Sequence, residues 1–296
     1  MRVLVTGATG YIGRQTIGPL LDAGFDVHGV ARRPSHVEGV TWHSADLLDA
    51  TQRRGLMDDV RPTYLLHLAW YAEHGNFWEA PVNLDWVAAS VDLARAFERG
   101  GGRRMVVAGT CAEYDWTVAD RPLHETASPR RPHSLYGWAK LSTEQILTAF
   151  AQARELSVGW GVVFFSNGPY EAEGRLVPSV IRALSAGETV NVRSASLVRD
   201  VLDVRDVARG FVHLLGTPVE GRVNIAAGLG ISLGDLAMRV GRLMGREELV
   251  DLSGGPEGAP RTLVANVERL RDEVGFQARR SIEDALRAAI DNCTGA

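Results

Sequence analysis

The chain has 296 residues, 45% hydrophobic and 23% charged, the balance of a folded globular protein rather than a disordered or fibrous one. Its net charge of −4 comes without any basic block, which argues against nucleic acid as a partner. No apolar run approaches the roughly 18 residues of a membrane-spanning helix, so no membrane partner is expected. Two cysteines, Cys111 and Cys293, give no disulfide framework, and no Cys–His spacing resembles a metal site. The first strand-like run begins at residue 2 with no charged-then-apolar leader before it, and a cytoplasmic setting is expected. The length suits about two domains, or one large α/β unit with an appended lobe.

In chain order, Arg2-Val3-Leu4-Val5-Thr6 is an apolar run suited to a buried strand. Gly7-Ala8-Thr9-Gly10-Tyr11-Ile12-Gly13 follows, and then a helical pattern through Leu20, Leu21 and Ala23. A strand, a Gly-rich turn and a helix N-terminus form an anion site for a dinucleotide pyrophosphate, although the spacing is G-x-x-G-x-x-G. The second strand, Phe25–Val30, ends in Ala31-Arg32-Arg33. NAD enzymes usually place an acidic residue there for the ribose hydroxyls. With Ala31 in that place no carboxylate repels a 2′-phosphate, and Arg32 or Arg33 can clasp it. Solvated surface arginines are the alternative, but the reading favours NADP(H).

Further strand-like runs lie at Val40–His43, Tyr64–Leu68, Met105–Gly109 and Val158–Phe165, with helical segments between most of them. This alternation predicts an α/β fold, a Rossmann-type doubly wound parallel sheet. Ligand then sits beyond the carboxyl ends of the strands, where Gly7, Ala31, His67, Thr110 and Phe165 fall. After Pro169 come helices near Leu176–Ala186, Val204–Leu215 and Leu233–Met244, a strand near Val223–Ala226, and a breaker cluster from Ser253 to Pro260. We expect a cofactor domain over 1–168, to which some later segments return, and a smaller, partly interleaved substrate lobe over 169–296.

Of the 32 basic residues, 31 are arginine; the single lysine, Lys140, lies four residues after Tyr136. Arginine replaces lysine on a solvated surface, but not where a compact ammonium must sit beside a phenol. Read alone, the pair is better taken as a helical i,i+4 contact without chemistry.

Together these features resemble the extended short-chain dehydrogenase/reductases of the NAD(P)-dependent epimerase/dehydratase type, from Val3 to about Ile290. The carriers are Gly7, Gly10 and Gly13, Asp46-Leu47, His67-Leu68-Ala69, Asn83, Thr110, Tyr136 with Lys140, Gly168-Pro169 and Arg199-Asp200. The resemblance implies that Thr9, Tyr11 and Ile12 hold the cofactor with the three glycines. Ala31, Arg32 and Arg33 would do so at the second strand, Asp46 and Leu47 after the third, and Leu68, Ala69 and Trp70 after the fourth. Phe165, Asn83, Tyr136 and Lys140 would complete that site. Tyr136 would be the acid that protonates a carbonyl oxygen, or the base in reverse. A free phenol with a pKa of about 10 needs a cation nearby, and Lys140 would supply it while holding the nicotinamide ribose. Thr110 would hydrogen-bond the substrate oxygen. Asn83 would order a relay water, or be a helix N-cap after Pro81.

For the substrate, the resemblance points to Arg175-Leu176, Ser166-Asn167, Trp70, Cys111-Ala112 and Arg199, the last as a diphosphate clamp. Asp206 reads as structural. The family's R-x-x-N-x-Y-G-P is here Val162 to Pro169, with arginine, asparagine and tyrosine lost. Dehydratases carry Asp-Glu directly after the threonine; Cys111-Ala112 cannot do that work. GDP-fucose synthase-like enzymes place a cysteine two positions after their serine, so Cys111 is out of register and reads as a buried thiol. Trp70, Trp78, Trp86 and Trp116 could stack a base or sugar, pack a lid or meet a second subunit.

Read this way, the chain is expected to be an NADPH-dependent ketoreductase acting at the 4-keto carbon of a nucleotide-activated, dTDP-type 6-deoxyhexose in deoxysugar biosynthesis. The alternatives are a nucleotide-sugar epimerase, a reductase of another carbonyl, and a non-catalytic NADP sensor. The family also implies a homodimer through the helix after Pro81 and the helix of Tyr136.

Overall fold

The computed structural model describes residues 1–118, 121–254 and 262–295. The first half runs β1 (Arg2–Thr6), α1 (Gly13–Asp22), β2 (Asp26–Ala31), β3 (Val40–Ser44), α2 (Ala50–Val60), β4 (Tyr64–His67), α3 (Val82–Arg99), β5 (Arg104–Thr110), α4 (Leu135–Arg154) and β6 (Ser157–Val163). The second runs β7 (Phe165–Asn167), α5 (Leu176–Ser185), β8 (Val190–Asn191), β9 (Val198–Asp203), α6 (Val204–Gly216) and β10 (Gly221–Ile225). It ends with β11 (Gly230–Ser232), α7 (Leu233–Met244), β12 (Val250–Asp251), β13 (Thr262–Leu263) and α8 (Ile282–Thr294). Residues 255–260 of the breaker cluster lie outside the described residues.

Seven strands form one parallel sheet in the order β10-β6-β5-β4-β1-β2-β3. Its registers align the carboxyl ends, with Thr6 opposite Val30 and His67, and Thr110 opposite Val163. Both faces are buried, which is why β1 reads as a continuous apolar run rather than an alternating one. Leu4 joins Leu56, Met57, Leu93 and Phe97 on the α2–α3–α4 side. Val3 and Val5 join Ile17, Leu20, Phe211 and Leu215 on the α1–α6 side. This is the doubly wound α/β fold that the alternation of elements foretold.

One expected strand, Val158–Phe165, divides. The chain leaves the large sheet after Val163, and Phe165–Asn167 pairs instead with β9, Ser166 opposite Leu202. Strand β10 returns to the large sheet as its edge beside β6. A third core of Val180, Ile181, Leu184, Leu236, Ala237 and Leu286 ties α5, α7 and α8 together. Among the described residues no helix is long and apolar enough to cross a membrane.

Candidate active site

The Gly-rich loop leaves β1 in a conformation that side chains would obstruct. Gly7 has φ +68°, and a Cβ there would lie 2.9 Å from the Ala69 nitrogen; a Cβ on Gly13 would lie 2.0 Å from the Gly7 carbonyl oxygen. The backbone therefore folds on itself, leaving a cradle open to a bulky anion in front of α1. No acidic residue occupies the first turn of α1 and its N-cap, Ile12, supplies no side-chain bond, so the dipole and free amides suit a pyrophosphate. These residues fit a dinucleotide.

The facing loop is tied to the first. Thr6 Oγ1 accepts the Leu68 and Ala69 amides at 3.1 and 3.2 Å and is hydrogen-bonded to His67 Nδ1 at 2.7 Å. His67 Nε2 meets Ser90 Oγ at 2.9 Å. Burial, and then the Lys140 charge, push this imidazole down to about 3; it is a neutral brace. Ala31, Arg32 and Arg33 stand at the end of β2, both arginines exposed and neither in an ion pair among the described residues. Asp46 caps its own turn through the Leu48 amide, and Leu47 is buried in the core.

Thr110, Tyr136 and Lys140 come together at the end of β5. Ser134 caps α4 through the Gly137 amide, and a Cβ on Gly137 would lie 2.5 Å from the Ala112 carbonyl. This glycine lets the helix start rest on the turn after β5. The Tyr136 phenol lies beside the Thr110 side chain; burial pushes its ionisation well above the usual phenol range, opposed first by the Thr110 hydroxyl and then by the Arg175 charge. Lys140 Nζ donates to the Ala108 carbonyl at 2.9 Å and lies 3.8 Å from the centre of the Trp70 ring. Burial brings the amine down to about 7. The expected lowering of Tyr136 by Lys140 is thus not the arrangement here: the ammonium faces an indole and a carbonyl, and the phenol holds its proton.

Asn83 also departs from expectation. The N-cap of α3 is Pro81. Asn83 is fully buried, accepts the Trp70 indole N–H at 2.8 Å, and donates to the Phe77 and Ala80 carbonyls. Both amide hydrogens are committed to bracing the 70–80 loop, so it orders that loop instead of a relay water. The loop closes over the tyrosine: the Trp78 carbonyl accepts the Tyr136 amide at 2.9 Å, and the Phe77 and Trp78 rings stand edge-on to the phenol at 4.8 and 5.9 Å. Trp116 packs on His133 beside Trp78, while Trp70 stacks on Trp86. Of the readings open for these aromatics, lid packing is what the described chain displays.

On the lobe side, Arg175 is the N-cap of α5, with Leu176 the first helical residue. Its charge acts on both Tyr11 and Tyr136, which places it toward the cleft between the glycine loop and the phenol. The Tyr11 hydroxyl is buried, with Glu171 and Ser166 beside it. Asn167 donates to Glu171 at 2.7 Å, and burial raises the Glu171 carboxyl to about 7. Cys111 and Ala112 are 5% and 1% exposed, which leaves little surface for substrate. Burial pushes the Cys111 thiol up to about 12, consistent with an inert thiol. Arg199, the expected clamp, is 6% exposed, donates to the Val198 carbonyl, lies over Phe165 at 5.4 Å from the ring centre, and its charge reaches Cys111. Asp206 is structural, accepting the Arg279 and Arg280 amides. Among the described residues no His/Cys/Asp/Glu group could hold a metal. Glu113, fully buried, and Glu171, half-buried, escaped the sequence reading because a lone glutamate carries no motif.

Residues 3–226 match the NAD dependent epimerase/dehydratase family. A UDP-glucose 4-epimerase of Rhizobium leguminosarum bv. trifolii is 28% identical, over 98% of this chain and 96% of that protein. A dTDP-6-deoxy-L-talose 4-dehydrogenase (NAD(+)) of Aggregatibacter actinomycetemcomitans is 25% identical, over 77% of this chain and 85% of that protein. The structure of a UDP-glucose 4-epimerase from Brucella ovis in complex with NAD superimposes with a TM-score of 0.87 at 23% identity, covering 99% of this chain and 98% of that one. At that identity the likeness speaks for the fold.

Proposed function

Since the chain belongs to the NAD dependent epimerase/dehydratase family, we propose that it moves a hydride and a proton at C4 of a nucleoside-diphosphate hexose, with epimerisation as the leading outcome. The observation that carries this is the Thr110–Tyr136 hydroxyl pair, set at the carboxyl end of the sheet with Lys140 one helical turn on. The near full-length Rhizobium relative supports inversion at C4, and on that support we rank epimerisation ahead of the net reduction expected from the sequence.

The residues divide the work. Gly7, Gly10 and Gly13, with the start of α1, would hold the pyrophosphate, and Leu68 and Ala69 would wall the cofactor from the facing loop. A nicotinamide bound there supplies the hydride acceptor and donor. As the phenolate, Tyr136 would take the proton of the C4 hydroxyl as the carbonyl forms and give it back as the carbonyl is reduced; the phenol that burial holds protonated must first release its own proton to solvent. Arg175, whose charge faces the cleft, suits the substrate diphosphate. Inversion requires that the keto sugar present its other face before hydride returns, and the Phe77–Trp78 lid keeps water out meanwhile.

A second reading, a 4-ketoreductase using exchangeable NADPH, is favoured by two observations. The phenol is held protonated, ready to donate to a ketone, and Arg32 and Arg33 stand exposed without an acidic residue at the end of β2. The family and the Aggregatibacter relative point instead to NAD. Mixing the protein with UDP-galactose and NAD+, and separately with a dTDP-4-keto-6-deoxyhexose and NADPH, divides the readings. Isomerised sugar without change at 340 nm supports epimerisation, and stoichiometric loss of 340 nm absorbance supports reduction. Neither change, with either pair, refutes both.

We also propose a homodimer. Leu84 on α3 and Trp138 and Ile146 on α4 are 58%, 50% and 45% exposed and line one groove with Val87 and Val91. Two adjacent long helices sharing an apolar outer face suit a second copy related by a two-fold axis.

A further inference from the structure

Behind the reacting corner lies a carboxylate sealed from solvent. Glu113 is 0% exposed and ends the single 3-10 turn Cys111–Glu113 after β5. One of its oxygens accepts the Thr110 amide at 2.8 Å, both lie 3.2 Å from the Trp160 indole nitrogen, and the other accepts Arg222 at 2.6 Å. Space for it exists because Gly109 has no side chain; a Cβ there would lie 2.1 Å from the indole nitrogen and 2.8 Å from the carboxylate. Arg222 also donates to Glu144 at 2.9 Å, which meets the half-exposed Arg130 at 3.0 Å.

A buried ion pair is weak evidence for stability, because desolvation offsets much of the attraction. Capping the turn requires only an acceptor for the Thr110 amide, which a glutamine would provide. The charge itself therefore calls for an explanation. Lys140 offers one: it is 3% exposed, and its Nζ is held on the carbonyl of Ala108, the residue before Gly109. Carboxylate and ammonium thus grip the same strand end, Ala108 to Thr110.

We infer that Glu113 is the buried counter-charge that favours the ammonium form of Lys140, and so acts as a positioning residue for the Thr110–Tyr136 corner. Burial lowers the Lys140 pKa to about 7, and Glu113 is the charge that resists this. The other groups around the amine do not replace it. His67 on β4 is held neutral, Trp70 offers only its ring face, and Tyr136 on the same helix keeps its proton. Glu144, one turn along α4, is engaged by Arg222 and Arg130.

This rests on the reading of Thr110, Tyr136 and Lys140 as the reacting corner, but its test needs no turnover. Because the chain has one lysine, protein grown on 13C-labelled lysine gives a single side-chain resonance whose pH titration reports Lys140 alone. The wild type is expected to titrate near 7, and Glu113→Gln to move the midpoint down by roughly one unit or more, the scale of a nearby buried charge. If stranding Arg222 unfolds that variant, Glu113→Gln combined with Arg222→Met removes both charges and is expected to shift the midpoint in the same direction. A wild-type midpoint near that of a free lysine, or a folded variant that loses stability without moving the midpoint, overturns the assignment. A protein with these titrations and no action on nucleotide sugars would fail the functional proposal and leave this one standing.

Discussion

Tyr136 and Lys140 are one helical turn apart, yet the turn aims them at different partners: the phenol at Thr110, the amine at Ala108 and Trp70. The proposal that these two residues carry chemistry was open to reading from type and spacing, since a lone ammonium in an arginine-rich chain marks a place where arginine would not serve. Their electrostatic relation was not legible, because it depends on burial and on an indole brought in from the 70–80 loop. Tyr136→Phe is expected to keep the fold and cofactor binding while lowering turnover by about 10²–10⁴, the range for a lost general acid–base. Steady-state kinetics beside cofactor fluorescence titration check this, and wild-type turnover in the variant would refute the assignment. His67 yields a stability prediction. Its imidazole is held down to about 3 against 6.5 ordinarily, so below pH 6.5 the unfolded chain takes a proton that the native one refuses. The stability it contributes is complete above 6.5 and declines as pH falls toward 3, by up to about 1.4 kcal/mol per unit. Urea midpoints measured from pH 7 to 4 should fall less steeply in His67→Gln than in the wild type; equal slopes would count against the buried neutral brace.

At the scale of elements, β1, the glycine loop and α1 were readable because each obeys a local rule: a buried apolar run, a turn free of Cβ atoms, an uncapped helix start. Where local rules compete, the sequence reading missed. Val158–Phe165 looks like one strand, but the chain departs after Val163 to pair with β9, a choice made by a partner 36 residues further along the chain. Asn83 looks like a cap, but Pro81 holds the N-cap position and Asn83, inside the helix, braces the loop before it. The end of β2 gives a test of cofactor choice. If Arg32 and Arg33 receive a 2′-phosphate, Arg32→Ala with Arg33→Ala should weaken NADPH by tenfold or more, since charge-assisted bonds contribute about 1.5–3 kcal/mol each, and leave NADH unchanged. Equal loss for both cofactors, or none, would return the site to NAD. The outer face of α3 and α4 gives another: Trp138→Glu should convert a dimer to a monomer in sedimentation at micromolar concentration, and a wild-type monomer would dismiss the pairing.

Across the whole molecule, the aligned carboxyl ends of one parallel sheet gather the glycine loop, the Leu68–Ala69 wall and the Thr110–Tyr136 pair at one edge, and the lobe strand β7 adds Phe165 and Ser166 from the other side. That convergence follows from the topology, which is why the place of the site was legible before its contacts were. What local pattern could not convey is how closed the corner is, since the aromatic lid and the buried Glu113 both come from packing between distant segments. The central claim is that hydride leaves and returns at C4 of a nucleotide sugar. UDP-galactose deuterated at C4, incubated with the protein and NAD+ and followed by proton NMR, tests it directly. The account predicts UDP-glucose that retains deuterium at C4, with no net reduced cofactor; label that never leaves its original configuration, or product that has lost it to solvent, would contradict the account.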